Sequence, residues 1–528
     1  MSSPARPASV TPAVIERLVG LVARPRSLEG DGRDTKTSTA PAPFTLEPTV
    51  SVPISTSEDV AAAVAIARAA QVAWALRPFK ERGEIALRFH DLLLERQDEV
   101  LDLIQWETGK ARFHAYQEIA QVALLARHYA RRGQHYLKAT KHRGFMAGLT
   151  RVRELRVPKG VVGMISPWNY PLYLGVGDVI PALLAGNAVV SKADSQSPLT
   201  LLWTRALFLE AGLPEELWQV AVGSGSVVGT ALIDAVDYIC FTGSTSTGRT
   251  VAERAGRRLI GASLELGGKN PVIICEDADL GQAAVGTVLG AFTNAGQMCI
   301  HLERAYVHAA VYDEFVAKLV AAVESLKLGQ RYDYGAECGC LVSSNQLATV
   351  ASHVDDAVKK GARVLVGGQA RPDIGPLMYA PTVLEGVTPE MIVHEEETFG
   401  PVLSLYRVDS EEEAIRLANK SSYGLSASVW TRDIRRGQAI AERVMCGSVN
   451  VNDGAAAAAG SIEAPMGGMR DSGLGRRHGA EGIRKYTEAQ TIAIQRGMPL
   501  APPKSVELAQ YTNVITKQLK LMRFFGVR

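Results

Sequence analysis

Three polar residues that lie far apart in the chain have the types needed to act together on a carbonyl group. Cys299 stands in the turn of residues 293–300, after a stretch rich in Gly and Ala, and a thiolate there could attack a carbonyl carbon. Glu265 stands between two leucines and ahead of two glycines, an unusual setting for a carboxyl group unless it acts as a base. Asn169 lies between prolines that fix a turn, where its amide could donate to an oxyanion. These residue types suggest covalent catalysis, although a single cysteine is more often a small buried hydrophobe.

The elements that must position these residues are indicated by alternating apolar runs and helix-length segments over residues 157–266. The runs VVGMIS, NAVVSK, LWQVAVG, YICFTG and SLEL fit strands, and the segments between them mostly open with Pro, Ser or Thr. This rhythm predicts a mostly parallel sheet with helices on both faces, in which ligands bind beyond the carboxyl ends of the strands. Residues 270–450 alternate more loosely and predict a second α/β domain, so the fold class is α/β.

The two ends of the chain differ from its middle. Residues 1–50 mix Pro, Ser, Thr and Gly with one short amphipathic patch, which predicts a poorly anchored arm with a helical turn or two. Thr56 and Asp59 fit a capping box at the start of a helical stretch. Residues 496–528 place apolar and basic residues at helical spacing, which favours an amphipathic helix packed on a neighbouring subunit over one on an anionic membrane surface.

Composition narrows the class of protein. The 528 residues allow roughly two to four domains, and a formal net charge of +2 argues against a nucleic-acid binder. Six cysteines without a CxxC pair favour a reducing compartment over a disulfide framework, and no cluster of metal ligands is evident. With no secretory signal and no apolar run long enough to span a bilayer in evidence, we expect a cytoplasmic enzyme with a small substrate.

Six motifs occur in an order that resembles the NAD(P)-dependent aldehyde dehydrogenase superfamily. They are SPWNYP, FTGS, LELGGKNP, GQMC, EETFGPV and PMGGMRDSGLGR, within residues 50–495. The resemblance implies a Rossmann-type cofactor domain, an α/β catalytic domain and a small β oligomerisation segment. It also implies that Cys299 is the nucleophile, that Glu265 is the general base, and that Asn169 and the Cys299 backbone amide hold the oxyanion.

The resemblance and the alternation of runs together predict the domain organisation and a homodimer or homotetramer. The expected segments are an N-terminal arm (1–50), a cofactor-binding domain (51–137 and 157–266), oligomerisation strands (138–156 and 478–495), a catalytic domain (267–477) and a basic amphipathic extension (496–528).

The implied reaction accounts for the residue types. A thiolate adds to the aldehyde, hydride passes to the nicotinamide, and a thioester remains. Glu265 would deprotonate the water that hydrolyses this thioester, which argues for a free-acid product over transfer to coenzyme A. A non-redox thiol hydrolase is a remote alternative, because it would pair Cys299 with a histidine and His301 is too close along the chain. A non-catalytic relative would be expected to lack one of the three polar residues, and all three are present.

The expected cofactor positions also come from the resemblance. Residues 223–229 form a glycine turn of GxGxxxG spacing, a weak signal by itself. The resemblance implies that the cofactor is held by Trp168, Lys192, Gly225, Gly229, Gly243, Ser244, Glu397 and Phe399. Ser195 stands where NAD-preferring relatives typically carry a glutamate that would repel a 2′-phosphate. We therefore expect NADP as the preferred cofactor, with NAD tolerated because Asp194 is one residue away.

The resemblance implies an aldehyde substrate, whose class stays open at this point. The whole pattern most resembles the branch of the superfamily that acts on succinate semialdehyde, but Gly177 stands where its better-known members hold the substrate carboxylate with an arginine. Arg304, His301 and Tyr173 are candidates for lining the substrate pocket. For His301 and Tyr173, a role in core packing or at an ordinary surface is an equally good interpretation. The small apolar loop of residues 454–460 fits a longer aliphatic or aromatic aldehyde at least as well.

Overall fold

A computed structural model describes residues 6–23, 36–144, 150–496, 501–502 and 504–526. The chain divides into two compact units, one of Met1–Tyr136 with Pro158–Thr487 and a smaller one of Leu137–Val157 with Glu488–Arg528. The predicted cofactor and catalytic domains both fall in the larger unit.

The described residues contain eighteen strands and nineteen α-helices. The strands are β1 (Thr37–Pro41), β2 (Pro48–Pro53), β3 (Thr140–Arg143), β4 (Thr150–Pro158), β5 (Val161–Ile165), β6 (Ala188–Ala193), β7 (Trp218–Val222), β8 (Tyr238–Thr242), β9 (Gly261–Glu265), β10 (Asn270–Ile274), β11 (Leu302–His308), β12 (Arg363–Val366), β13 (Thr382–Glu385), β14 (Val402–Val408), β15 (Ser426–Trp430), β16 (Ser448–Val451), β17 (Gly473–Leu474) and β18 (Thr487–Gln495). The helices are α1 (Pro12–Val19), α2 (Ser57–Leu76), α3 (Phe79–Glu95), α4 (Gln97–Thr108), α5 (Arg112–Tyr136), α6 (Pro171–Val176), α7 (Val179–Leu184), α8 (Pro198–Glu210), α9 (Thr230–Ala235), α10 (Thr245–Arg257), α11 (Leu280–Phe292), α12 (Tyr312–Glu324), α13 (Ser344–Lys359), α14 (Ile392–Glu395), α15 (Glu411–Ala418), α16 (Ile434–Ala441), α17 (Ala456–Ala459), α18 (Gly479–Arg484) and α19 (Leu508–Phe524).

The larger unit contains a six-stranded sheet built from the predicted apolar runs. Its order is β17-β9-β8-β5-β6-β7, with the five strands from β9 to β7 parallel and β17 antiparallel to β9. The five runs become β5 to β9, and α6 to α10 supply the crossovers that parallel neighbours require. The predicted parallel sheet is confirmed.

A second sheet of seven strands forms the other α/β layer of the larger unit. Its order is β12-β13-β14-β11-β10-β15-β16, and only β12 pairs antiparallel. Helix α12 buries Phe315 and Leu319, four residues apart on one face, in the core cluster that also contains Val272 and Val307 from the strands. The second α/β domain expected from the looser alternation is therefore present as a layered core of its own.

The described part of the N-terminal arm is anchored, which corrects the expectation of a poorly anchored segment. Helix α1 gives the expected two turns, but Leu18 on it is completely buried. The backbone amide of Ala23 donates to the carbonyl of Val220 at 2.7 Å, which ties the arm to β7. Part of the arm, residues 1–5 and 24–35, lies outside the described residues.

Helix α2 begins at the predicted capping box, since Thr56 and Asp59 exchange both hydrogen bonds. By length and composition alone it could cross a membrane, contrary to the expectation that no such run exists. A helix packed on a sheet passes the same test, and α2 contacts β6 and β7 while the Trp74 indole donates to the Leu183 carbonyl. This one helix is weak evidence for a membrane span.

The smaller unit is built on the three-stranded sheet β18-β4-β3. The strand expected within residues 478–495 begins at Thr487, because residues 479–484 form α18 in the larger unit. Helix α19 confirms the expected C-terminal helix and buries none of its residues.

Candidate active site

The carboxyl ends of the parallel strands bring the predicted site residues to one edge of the six-stranded sheet. Taken in sheet order, Glu265 ends β9, Gly243 and Ser244 follow β8, Trp168 and Asn169 follow β5, Lys192 and Ser195 stand at the end of β6, and Gly225 follows β7. Adjacent strands lie about 4.8 Å apart, so these segments share one continuous edge. The parallel topology alone therefore juxtaposes residues that are up to 97 positions apart, from Trp168 to Glu265.

Cys299 is carried by a turn whose backbone departs from ordinary preferences. Asn294 and Ala295 both have a φ of 54°, and Gly296 follows with a φ of 70°. Positive φ is costly for residues with a Cβ and persists where the surroundings impose it. A Cβ at Gly296 would lie 2.1 Å from the carbonyl oxygen of Gly400, so only glycine fits there. The turn is a strained segment that brings the thiol to the end of α11.

Gln297 holds this turn in place. Its side-chain amide nitrogen donates to the Asn294 carbonyl at 3.0 Å and to the Cys340 carbonyl at 3.3 Å. Its side-chain oxygen accepts from the Val342 backbone amide at 2.9 Å. All three contacts are buried, which rigidifies the backbone two residues before Cys299.

Asn169 is joined directly to the same turn. Its side-chain nitrogen donates to the Gln297 carbonyl at 3.1 Å, and its own carbonyl accepts from the Asn294 side chain at 3.1 Å. The side-chain amide has two hydrogens, so one is left to donate elsewhere. The Cys299 backbone amide donates to no other residue within the described chain. Two N–H donors are thus available, one on Cys299 itself and one on a side chain bonded to the same turn, as an oxyanion site requires.

The Cys299 thiol differs from the other five cysteines in being half-buried instead of buried. Desolvation and the nearby carboxyl groups of Glu397 and Glu265 raise its pKa to about 12. The thiol is therefore protonated in the resting protein at neutral pH, and it needs a base or a nearby positive charge to become nucleophilic.

Glu265 supplies a buried carboxyl group at the end of β9. Its Oε1 has no hydrogen-bond partner among the described residues, and the absent side chain of Gly467 leaves the space beside it. Burial raises the pKa of Glu265 to about 7, against the opposing effect of the Arg477 and Lys485 charges. A carboxyl group with this pKa exchanges protons at neutral pH, which suits a general base.

Phe399 contacts Trp168, and the carboxyl group of Glu397, two residues before Phe399, lies near Cys299. The Trp168 and Phe399 rings meet edge to face with centroids 5.7 Å apart. Glu397 Oε1 accepts from the Gly268 amide at 3.0 Å, and a Cβ at Gly267 would lie 2.3 Å from Glu397 Oε2. Burial and the nearby Glu303 carboxylate raise the pKa of Glu397 to about 7. The two glycines after Glu265 thus let this carboxyl group approach the backbone.

The end of β6 offers a positive charge and no opposing carboxylate. The Lys192 side chain is largely buried, and its ammonium makes no hydrogen bond or ion pair with any described residue. Ser195 is half-exposed, while the Asp194 carboxylate accepts from the Gln196 amide at 2.9 Å and is thereby turned to its own backbone. An ammonium without a protein partner, three residues from the Ser195 hydroxyl along the same strand end, fits the hydroxyls and 2′-phosphate of a dinucleotide.

The glycines after β7 and β8 have different surroundings, because only Gly225 borders open space, whereas a Cβ at Gly243 would lie 2.6 Å from the Phe241 ring. Gly225 is exposed and nothing lies within 4 Å of a Cβ placed on it, while Gly229 meets only one side-chain atom at 3.7 Å. Gly243 precedes Ser244, which caps α10 by accepting from the Thr247 amide. Helix α10 is thirteen residues long, and its N-terminus lies at the same sheet edge. The N-terminus of a helix favours an anion.

Arg304 does not present its guanidinium to Cys299. The Nε donates to the Lys269 carbonyl at 2.9 Å, Nη1 to the Tyr306 hydroxyl at 3.1 Å and Nη2 to the Ala418 carbonyl at 3.3 Å. All three nitrogens are thus engaged within the seven-stranded sheet and the end of α15. These contacts correct the expectation that Arg304 binds substrate, because they give it a structural role.

His301 is likewise a core residue. It is completely buried, its Nδ1 lies 2.5 Å from the Met298 carbonyl, and its Nε2 lies 3.0 Å from a Glu303 carboxylate oxygen. His301 therefore packs in the core and does not line a substrate pocket.

Tyr173 is buried on α6 and its hydroxyl donates to His478 Nε2 at 2.6 Å. The His478 Nδ1 lies 3.0 Å from the Ser461 carbonyl, and burial lowers the pKa of His478 to about 4, so the ring is neutral. Tyr173 lies close enough to Glu265 and Cys299 that the negative charge of either group would raise the pKa of the Tyr173 hydroxyl. Of the three predicted substrate residues, only Tyr173 is brought to the catalytic pair.

The ion pair of Asp178 and Arg477 beside Glu265 is absent from the sequence predictions. Arg477 Nε donates to Asp178 Oδ2 at 2.8 Å, and both side chains are almost completely buried. The available signals were the acid at 178 inside an apolar stretch and Arg477 directly after the motif PMGGMRDSGLGR. Neither signal by itself says that the two residues meet. Within the described residues no cluster of His, Cys, Asp and Glu has the makings of a metal site.

The chain is similar to known proteins along most of its length. The sequence pattern of the aldehyde dehydrogenase family matches residues 30–492. A Mycolicibacterium smegmatis protein provisionally named succinate-semialdehyde dehydrogenase [NADP(+)] is 52% identical over 91% of this chain and 93% of its own length. A Mycobacterium ulcerans protein with a similar provisional name is 50% identical over 94% of each chain. The crystal structure of succinate-semialdehyde dehydrogenase from Burkholderia pseudomallei superimposes with a TM-score of 0.84 at 35% identity, covering 87% of this chain and 95% of that one.

Proposed function

The chain belongs to the aldehyde dehydrogenase family of NAD(P)-dependent enzymes, and from this premise we propose that it oxidises succinate semialdehyde to the dicarboxylic acid with NADP+ as the preferred cofactor. The observation that carries the chemistry is the meeting of a half-buried cysteine, a donor amide and a buried carboxyl group at one sheet edge. The choice of substrate is supported by relatives of about half identity along nearly the whole chain.

In the first half of the reaction, Cys299 Sγ adds to the aldehyde carbon. Because its pKa is raised, the thiol must lose its proton as the carbon–sulfur bond forms, and the half-buried sulfur is open to solvent that can take this proton. The carbonyl oxygen becomes an oxyanion, which the Asn169 amide and the Cys299 backbone amide are placed to receive.

The residues at the sheet edge fit a dinucleotide. Lys192 and Ser195 would hold the ribose end, the start of α10 the phosphates, and Glu397 with Phe399 the nicotinamide end. When bound there, the cofactor accepts hydride from the carbon attached to Cys299. The missing carboxylate at Ser195 supports NADP+ over NAD+.

In the second half, water adds to the thioester carbonyl and its proton passes to a Glu265 oxygen. The carbon–sulfur bond breaks with its electron pair leaving on Cys299 Sγ, and the product is a carboxylic acid. The orphaned Oε1 of Glu265 is free to accept this proton.

A longer uncharged aldehyde is a second candidate substrate, and one observation favours it. Ala455 and Ala459, in the loop that holds α17, form a buried apolar cluster with Ile300 and Leu425, against which Cys299 packs. Small apolar side chains of this kind accommodate a hydrocarbon chain better than a carboxylate.

The deciding experiment compares NADP+ or NAD+ reduction with succinate semialdehyde, butanal and octanal. We expect kcat/KM for succinate semialdehyde with NADP+ to exceed that for butanal by roughly 10- to 100-fold, the value of a hydrogen bond to a charged group. A higher kcat/KM for octanal would transfer the assignment to the second candidate. Activity retained by Cys299→Ala, with Cys446→Ala as the matched control at a buried cysteine, would overturn the cysteine mechanism.

We further propose a cytoplasmic homo-oligomer joined through β18. This strand exposes Ile492 and Ile494 at 43% and 47%, on one face of an edge strand of its sheet. Helix α19 exposes apolar residues together with Lys517, Lys520 and Arg523, and we assign it to a subunit contact before a lipid contact. Sedimentation of the full chain with and without anionic vesicles separates these two roles.

A further inference from the structure

A buried cluster of charges lies beside the carboxyl group of Glu265. Asp178 receives Arg477 Nη2 at 2.7 Å and Lys485 Nζ at 2.8 Å on its two oxygens, and the Tyr486 hydroxyl donates to it at 2.7 Å. Each of the three charged side chains is at most 10% exposed. Burial of this extent is costly for charges unless they compensate one another, so their balance matters.

The two cations are tied to the strand residues that flank Glu265. Arg477 Nη2 donates to Thr242 Oγ1 at 2.6 Å, and Thr242 on β8 is the direct partner of Glu265 on β9. Lys485 Nζ donates to Ser263 Oγ at 3.1 Å, and Ser263 stands two residues before Glu265 on the same strand. Because side chains two apart on a strand, and side chains of paired residues, leave the same face, both cations border the Glu265 carboxyl group.

The charges of the almost fully buried side chains balance only when Glu265 is ionised, Arg476 being half-exposed to solvent. Arg477 and Lys485 contribute two positive charges and Asp178 one negative charge, which leaves one positive charge for Glu265 to neutralise. The other groups that face Glu265 are Arg476 from the same loop, the Tyr173 hydroxyl from α6 and the Cys299 thiol. The Tyr173 hydroxyl and the Cys299 thiol are neutral at pH 7, because burial raises their pKa values.

We propose that Arg477, held in place by Asp178, is a positioning residue that keeps the Glu265 carboxylate ionised and so sets the pH range in which the thioester is hydrolysed. The role rests on the aldehyde oxidation proposed above, but it does not depend on which aldehyde is the substrate. Arg477 itself touches neither the aldehyde carbon nor the attacking water. It acts through the carboxylate that accepts the proton of that water.

Loss of the Arg477 charge should change the pKa of Glu265 in one direction only. Burial raises the pKa of Glu265, and the positive charge of Arg477 is the largest effect that lowers it again. Removing that charge raises the pKa further, so a larger fraction of Glu265 is protonated and inactive at neutral pH. The pH dependence of hydrolysis must then move to higher pH.

The test follows acyl-enzyme decay as a function of pH in wild type, Arg477→Met and Arg477→Lys. Enzyme is mixed with NADP+ and limiting aldehyde, quenched in acid at successive times, and the thioester is measured by intact-chain mass spectrometry. In Arg477→Met the rising limb should move up by about one pH unit, which makes decay about fivefold slower at pH 7, while the first turnover of cofactor reduction changes less than twofold. Arg477→Lys, which keeps the charge, should restore most of the profile.

Arg476→Met is the matched control, because it removes the same charge from the adjacent residue. Arg476 is half-buried, and its Nη1 donates to the Gly468 and Gly475 carbonyls. It should shift the profile clearly less than Arg477→Met, and equal shifts would overturn the assignment to Arg477. If Arg477→Met does not fold, Lys485→Met removes the other cation and should shift the profile in the same direction. An unshifted profile in folded Arg477→Met or Lys485→Met would overturn the inference alone. A wild-type protein that forms no acyl-enzyme would overturn the proposed function instead.

Discussion

The side-chain amide of Asn169 donates to the backbone carbonyl of Gln297 at 3.1 Å, across 128 residues of sequence. This bond joins the turn after β5 to the strained turn that carries Cys299, so the oxyanion donor and the nucleophile are positioned by one connection. Since the Asn294 side chain returns a bond to the Asn169 carbonyl, the two turns hold each other from both sides.

Replacing Asn169 by alanine should remove an oxyanion donor while leaving the thiol in place. We expect kcat to fall by about 10²- to 10³-fold, because the lost bond is strongest in the transition state. Steady-state cofactor reduction measures the loss. Asn345→Ala, on an exposed position of α13, should retain full activity, and an Asn169→Ala enzyme within threefold of wild type would contradict the assignment.

Alkylation should single out Cys299 among the six cysteines. The other five are buried, so iodoacetamide should label one thiol per native chain, and the label should disappear in Cys299→Ala but not in Cys446→Ala. Because the pKa of the Cys299 thiol is raised to about 12, the thiolate fraction rises with pH throughout the accessible range. The labelling rate without cofactor should therefore increase from pH 7 to pH 9 without a plateau, and a plateau below pH 8 would disprove the raised pKa.

Changing Glu265 to glutamine should separate the two halves of the reaction. Hydrolysis requires a base, so the variant should reduce up to one equivalent of cofactor and then stall with the acyl group on Cys299. In the wild type the carboxylate is the active form and its pKa is about 7, so hydrolysis should rise as pH increases through 7. Rapid-mixing absorbance of the reduced cofactor distinguishes the burst from turnover, with Glu412→Gln on the exposed surface as the control.

How much of this arrangement the sequence predicts depends on the range of the interactions involved. The capping box of Thr56 and Asp59 is local, and it is found where the pattern placed it. The apolar runs predict β5 to β9, and parallel topology then places Asn169 and Glu265 on one edge.

Interactions between distant segments escape such patterns. The bond between Arg477 and Asp178 spans 299 residues, and the burial of Leu18 depends on a surface formed by residues much later in the chain. Arg304 and His301 resemble substrate ligands by type, yet neighbouring carbonyls and the Glu303 carboxylate already engage them. Residue type predicts the chemistry available at a position, whereas tertiary contacts decide whether it is free to act.

Introducing a carboxylate at Ser195 should reverse the cofactor preference. In Ser195→Glu a negative charge would lie at the end of β6, near the Lys192 ammonium that has no partner among the described residues. Like-charge repulsion of the 2′-phosphate should lower kcat/KM for NADP+ by at least tenfold and leave NAD+ within about threefold. Cofactor titrations with both dinucleotides measure the change. Ser352→Glu, exposed on α13, should have no effect on either.

Breaking the ion pair of Lys110 and Glu118 should destabilise the protein and impair catalysis together. Both side chains are completely buried, Lys110 Nζ lies 2.5 Å from Glu118 Oε1, and it also lies 3.6 Å from the centre of the Tyr170 ring. The other Glu118 oxygen accepts from the Leu172 and Tyr173 amides at the start of α6, directly after the turn of Asn169.

Lys110→Met therefore leaves a buried carboxyl group without its cation and loosens the oxyanion turn. We expect a loss of about 3–5 kcal/mol in the free energy of unfolding, measured by urea denaturation, together with a lower kcat. Lys80→Met, which removes an exposed ion pair with Glu84, should change neither quantity measurably. The double variant Lys110→Met/Glu118→Gln should recover part of the stability, because it removes the uncompensated charge. If the double variant is no more stable than Lys110→Met, then packing of the lysine chain, and not its charge, supports the turn.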